Sequence, residues 1–144
     1  MSEEKRVLLE YADKINPESA EEYIKTGGYA GLEKARQMET KDLIQEVKTS
    51  GLRGRGGAGF NAGMKWSFVP KFAEIKYVVC NLDEGEPGTY KDRIICEKNA
   101  QALLEGMAIC GLAINSHQGY IYCRGEYPFI VKLLNNAIAS AQAC

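Results

Sequence analysis

The chain has 144 residues, 45% of them hydrophobic and 26% charged, with a formal net charge of −1. That length suffices for one domain with its own core, and the near-neutral balance excludes a field that draws nucleic acid or an anionic membrane over distance. No apolar run is long enough to span a bilayer, and the polar, acidic start is unlike a secretory signal, so a cytoplasmic protein is expected.

Arg6 to Leu9 is a short apolar run, either a strand or the start of a helix. Asn16-Pro17-Glu18-Ser19 is a turn leading into a helix, with Ser19 or Asn16 as cap and acidic residues Glu18, Glu21 and Glu22 suited to the positive end of its dipole. Gly27-Gly28 should stop it. Tyr29 to Arg36 reads as a second short helix. Thr40 is the expected cap of a third, running to about Lys48, with Leu43, Ile44 and Val47 at helical spacing.

A glycine-rich basic loop follows from Ser50 to Gly63, and Met64 to Phe68 predicts a helical turn after it. Lys76 to Asn81 is β-branched and aromatic, hence a buried strand. Asp83 to Gly88 is a turn. Ala100 to Ala113 predicts a helix with Leu103, Leu104, Met107 and Ile114 along its apolar side. Gly119 to Arg124 predicts a second buried strand, and Pro128 to Ala141 a last helix carrying Phe129, Val131, Leu134 and Ile138. The order strand, helix, strand, helix from Lys76 onward builds parallel sheets in α/β domains. The expectation is an N-terminal helical segment over 1–49 and a partial, Rossmann-like α/β unit over 50–144, its parallel sheet incomplete at the C-terminus.

The five cysteines, Cys80, Cys96, Cys110, Cys123 and Cys144, contain no Cys-x-x-Cys pair for zinc or an iron–sulfur cluster. Their odd number and a reducing compartment argue against a disulfide framework; they read as small buried hydrophobes. The single histidine, His117, lies beside a turn and reads as a surface residue. No metal site is expected.

Gly54-Arg55-Gly56-Gly57-Ala58-Gly59 has the spacing G-x-G-x-x-G, but a helix rather than a strand precedes it, which rejects the conventional dinucleotide fingerprint. The loop has its own logic. Five glycines between Gly51 and Gly59 let backbone N–H groups approach a ligand closely, as in the concave nests that bind phosphate oxygens. Arg53, Arg55 and Lys65 add charge for the same purpose, and Phe60 with Trp66 or Phe68 offers a flat surface for a ring. A flexible loop or an RNA-binding stretch of RGG type is the competing reading; its place between two ordered segments favours a phosphate or nucleotide site. The turn Asn81-Leu82-Asp83-Glu84-Gly85-Glu86-Pro87-Gly88-Thr89 follows a strand, where ligands of open α/β sheets bind. Its carboxylates suit ribose hydroxyls or ring N–H groups, although its glycines and proline also describe a plain solvated turn.

Together, Ser50 to Phe60, Gly63-Met64-Lys65-Trp66, and Asn81 to Thr89 with Lys91-Asp92-Arg93 resemble the flavoprotein subunit of complex I-type NADH:quinone oxidoreductases and of related NAD-linked and electron-bifurcating hydrogenases. Gly27-Gly28-Tyr29, Leu104 to Ile109 and Tyr120 to Tyr127 agree, so the resemblance covers essentially the whole chain. It implies FMN in an α/β fold, with NADH as substrate stacking on the flavin. By that resemblance Gly54, Arg55, Gly56, Gly57 and Lys65 hold the phosphate side of FMN, and Asn81, Asp83 and Glu84 its ribityl and ring. Phe60 and Phe68 lie near the NADH adenine, and Glu86 contacts the nucleotide. Leu82 and Asn61-Ala62 depart from an alanine and a proline-threonine pair common in the family. The family's later Gly-Glu-Glu segment, ubiquitin-like domain and Cys-x-x-Cys-x-x-Cys cluster motif are not in this sequence. The expected activity is therefore an NADH dehydrogenase (diaphorase) module passing electrons to iron–sulfur clusters elsewhere, with other subunits of a larger oxidoreductase as partners. The alternatives are a non-catalytic nucleotide-binding or assembly module and an inactive fragment.

Overall fold

The computed structural model of the chain describes residues 6–144. Residues 6–15 make turns and bends, not the strand or helix start expected of Arg6–Leu9; Val7 and Leu8 stay exposed, Leu8 at the edge of an apolar groove between β1 and α5. Three short helices follow: α1 (Ala20–Lys25), α2 (Ala30–Arg36) and α3 (Thr40–Thr49). Ser19 caps α1, its hydroxyl accepting from the Glu22 N–H at 3.2 Å. The helix stops at Thr26 and Gly27, the latter at φ +91°, a left-handed conformation that glycine adopts without strain. Gly28 lies against the Tyr23 ring, where a Cβ would stand 2.2 Å from a ring carbon. Thr40 is the first residue of α3 rather than its cap; Glu39 holds the extended cap position without a side-chain bond.

Helix α4 (Ala62–Ser67) starts two residues before the expected Met64 because Asn61 caps it, accepting from the Met64 N–H at 2.9 Å. The same side chain donates to the Lys48 carbonyl at 3.2 Å, tying α4 to the end of α3. Gly63 permits that approach: a Cβ there would sit 2.5 Å from the Lys48 nitrogen.

Strands β1 (Tyr77–Leu82) and β2 (Gln118–Cys123) are parallel, in register from Tyr77 opposite Gln118 to Leu82 opposite Cys123, as the strand–helix–strand order predicts. The helix between them, α5 (Lys91–Ile114), is longer than the expected Ala100–Ala113. It is two helical pieces joined at Asn99, whose φ −157° and ψ 51° are not helical. The Asn99 side-chain nitrogen donates to the Leu8 carbonyl at 2.7 Å, fastening the break to the N-terminal segment 91 positions away. The first piece, Lys91–Lys98, lacks a clear apolar stripe in sequence, which hid it. Helix α6 (Pro128–Ala143) closes the chain.

The main core joins one face of the sheet to α5 and α6: Leu82, Cys96, Ala100, Ile130, Leu134 and Ala137, with Ile121, Cys123, Leu103 and Leu104 against them. Complete burial of a side chain such as Ile130 contributes about 1.5–3 kcal/mol. A second cluster, Ala35, Leu43 and Ala113 with Met38, Ile44, Trp66 and Ile109, seats the early helices on the C-terminal half of α5. The strands are covered on one face only, correcting the fully buried reading. Tyr77, Val79, Tyr120 and Tyr122 point outward, Tyr122 at 63% exposure, and the Tyr77 and Tyr120 rings meet at a tilt of 50° with centroids 5.8 Å apart. Of the five free cysteines only Cys96 is buried; Cys80, Cys110 and Cys123 are half-buried and Cys144 is exposed. Along α6, Phe129 and Val131 are exposed, while Ile130, which the sequence pattern did not single out, is fully buried. No helix among the described residues is long and apolar enough to cross a membrane.

Candidate functional site

The glycine loop is an excursion closed at its base. Arg53 and Asn61 form an antiparallel bridge, the Gly54 N–H donates to the Phe60 carbonyl at 2.9 Å, and the Ala62 N–H donates to the Leu52 carbonyl at 2.8 Å. The Arg53 guanidinium donates to the Gly59 carbonyl at 3.2 Å, so this arginine braces the loop from within. Arg55, Gly56 and Gly57 form the exposed tip, with Gly57 at φ +153°. A Cβ at Gly56 or Gly57 would meet nothing within 4 Å, so the open space lies in front of the backbone where a ligand approaches.

Across from the tip stands the acidic turn. Asn81 is the penultimate residue of β1, and its side-chain oxygen accepts from the Asp83 N–H at 3.0 Å, which turns the chain out of the sheet. The two segments enclose a cleft of about 1030 Å³ lined by Arg55, Gly56, Gly57, Asn81, Asp83, Gly85, Glu86, Thr89, Lys91 and Asp92. Its loop wall is basic and rich in backbone N–H groups; its turn wall carries Asp83 and Glu86. Lys91 pairs with Asp92 at 2.5 Å, and that hydrogen bond raises the lysine's pKa.

Six of the residues named from the sequence thus share one cleft: Arg55, Gly56, Gly57, Asn81, Asp83 and Glu86. Gly54 sits at the loop's base and Lys65 on α4, both exposed and outside the lining. Phe60 and Phe68 form an exposed pair with ring centroids 6.0 Å apart. Glu84 differs most from its expected role. It is 2% exposed, and its carboxylate accepts from the Asp92 N–H at 2.9 Å and the Arg93 N–H at 3.4 Å, capping α5. Burial pushes its carboxyl upward, but these backbone donors, with the Thr89 hydroxyl and the nearby Lys91 ammonium, hold it below the usual range. Gly85, Thr89, Lys91 and Asp92 line the cleft without having been named as site residues; their adjacency to the acidic turn was the available signal.

Arg124 fastens the turn from behind. Its Nη1 donates to the Glu84 carbonyl, while Nε and Nη2 form a fork on the Glu126 carboxylate at 3.0 and 2.7 Å. That fork pulls the Glu126 pKa down to about 2. The guanidinium also lies 5.4 Å from the centre of the Tyr127 ring.

A cleft beyond the carboxyl end of a parallel strand, with a glycine loop facing carboxylates, is the place where ligands bind in α/β proteins with open sheets. Comparison with known proteins narrows the class. Residues 47–144 match the family model of the Nuo51 FMN-binding domain, and the chain belongs to that family. It is 48% identical over 136 residues to an NADH-quinone oxidoreductase subunit of Aquifex aeolicus (strain VF5), covering 94% of this chain and 32% of the relative. It is 46% identical over 129 residues to the NADP-reducing hydrogenase subunit HndC of Solidesulfovibrio fructosivorans, covering 89% of this chain and 26% of that one. The crystal structure of an NAD+-reducing [NiFe]-hydrogenase in the air-oxidized state superposes with a TM-score of 0.75 at 34% identity, over 96% of this chain and 23% of that chain. The chain therefore spans about a third or less of the length of these relatives.

Proposed function

We propose that the cleft holds FMN and that the chain is the flavin-holding part of an NADH dehydrogenase (diaphorase) module. The observation that carries this reading is the single cleft in which Arg55, Gly56 and Gly57 face Asn81 and Asp83. The fit is chemical. Loop N–H groups and Arg55, with Gly54 at the base, suit a phosphate, to which Lys65 reaches from α4 in this proposal, while Asn81 and Asp83 suit ribityl hydroxyls and ring N–H groups. The open space in front of Gly56 and Gly57 is the room a phosphate needs. When bound, FMN supplies the ability to take a hydride from NADH and release electrons singly.

In this proposal the protein binds and orients. The Phe60–Phe68 pair takes the NADH adenine by stacking, and Glu86 bonds the nucleotide's hydroxyls. Glu84 supports the turn through α5 rather than touching the flavin with its carboxylate. Electrons leave to iron–sulfur clusters on further segments or on other subunits; that the relatives are named as an oxidoreductase subunit and a hydrogenase, and are longer than this chain, supports a setting with further polypeptide. The uncovered sheet face of Tyr77, Val79, Tyr120 and Tyr122 is the surface such polypeptide covers. The module is cytoplasmic and peripheral in this reading.

The test is an FMN titration of the purified chain, followed by quenching of flavin fluorescence. Saturable binding is expected, weakened about tenfold or more in Arg55→Ala and Lys65→Ala, each of which removes a charged phosphate partner. A folded chain that does not bind FMN overturns the assignment and leaves an assembly module as the better description.

A further inference from the structure

We propose that Arg124 is a positioning residue for the flavin site, clamping the acidic turn at the end of β1 to the end of β2 so that Asn81 and Asp83 face the glycine loop. The inference rests on the flavin reading of the cleft but concerns a residue outside its lining.

The geometry is a chain of directed bonds. Arg124 follows β2 immediately, and its chain neighbour Cys123 stands opposite Leu82. From there Nη1 reaches the Glu84 carbonyl on the adjacent segment. The other side of the guanidinium is fixed by the two bonds to Glu126 and by the Tyr127 ring, so the donor aimed at Glu84 has little freedom. Glu84 in turn is held at its other end, its buried carboxylate bonded to the first backbone N–H groups of α5. One residue of the turn is therefore gripped by its carbonyl from β2 and by its side chain from α5. Asp83 immediately precedes it and is positioned by both grips together with the Asn81 bond.

Arg93 supports the same arrangement from the helix side. Its guanidinium bonds Glu97 at 2.8 Å and lies 4.8 Å from the centre of the Phe129 ring and 5.8 Å from those of Tyr90 and Tyr127. Tyr127 thus lies between the two arginines and links the start of α6 to the turn. A site made of two loops on separate elements needs such bracing, since a wall displaced by about 1 Å loses its ligand geometry. The fork on Glu126 explains the choice of arginine: a lysine cannot hold a carboxylate through two nitrogens while donating to a carbonyl with a third.

The experiment uses the whole chain with Arg124→Gln and Arg124→Lys, far-UV circular dichroism confirming that each folds. Amide exchange is measured without flavin at Asp83, Asp92 and Arg93, with amides of residues 103–113 in the same samples as reference. FMN affinity and the visible circular dichroism of bound flavin are measured alongside. In Arg124→Gln the three amides should exchange about tenfold faster than in the wild type while the reference amides are unchanged. FMN should bind about tenfold more weakly, with an altered flavin signal. Lysine should recover only part of the loss. Unchanged exchange at the three amides overturns the clamp whether or not flavin binds. Faster exchange with unchanged FMN affinity overturns the positioning role. A wild-type chain that binds no FMN refutes the flavin reading, and with it this role for Arg124, while the exchange data still report on the clamp itself.

Discussion

The Tyr23 hydroxyl on α1 donates to the Glu105 carboxylate in the middle of α5 at 2.7 Å, across 82 positions of sequence. The same carboxylate accepts from the Tyr29 N–H at 3.1 Å and the Leu32 N–H at 3.0 Å, capping α2 from another helix. One acidic side chain thus secures two helices too short to persist alone. Beside it Gln101, 1% exposed, accepts from the Tyr29 hydroxyl and donates to the Glu18 and Ala137 carbonyls, so each of its polar atoms is used.

Removing that acceptor should cost more than removing one donor. Glu105→Ala leaves Tyr29 and Leu32 N–H groups without their partner and should destabilise by about 1–3 kcal/mol, whereas Tyr23→Phe should cost about 1 kcal/mol. Urea unfolding of the two variants checks the order; equal losses would remove Glu105 from its central place.

Two glycines should separate packing from binding. Gly63→Ala places a Cβ against the α3 backbone and should destabilise by about 1–3 kcal/mol. Gly56→Ala meets open space and should change stability by less than about 0.5 kcal/mol, yet weaken FMN binding by obstructing the nest. Paired melting and flavin titrations read both effects.

Acid should find Glu84. Its folded carboxyl titrates below the reference value of 4.5, so the stability it contributes is complete above that pH and is lost as pH falls through the lower folded value. Glu84→Gln should lower the stability plateau above about pH 4.5 and flatten the decline below it, in unfolding curves at successive pH values. Parallel profiles for variant and wild type would mean the cap contributes nothing through its charge.

Thiol labelling should follow burial. Cys144 is exposed and should alkylate first at neutral pH. Cys96 is buried and its pKa is pushed up to about 12, mainly by burial, so it should react only on unfolding. Mass spectrometry of a time course gives the sequence of modification.

The sequence by itself determined most elements and the pairing of motifs. Ser19, Gly27 and the strand–helix–strand order act through neighbours a few residues away, and such signals survive in one dimension. Through the family resemblance it also brought forward Gly54, Arg55, Gly56, Gly57, Phe60, Lys65, Phe68, Asn81, Asp83, Glu84 and Glu86, of which Arg55, Gly56, Gly57, Asn81, Asp83 and Glu86 line one cleft. Only the tertiary structure decided what each carboxylate does. Glu84 and Glu86 are two residues apart and chemically identical, yet one is buried capping α5 and the other lines the cleft. It decided as well that β1 and β2 are bare on one face, that α5 breaks at Asn99, and that Arg124 reaches back to Glu84. The physical reason is common to all of these: burial and hydrogen-bond partners come from residues distant in sequence, and no local pattern records which of them will arrive.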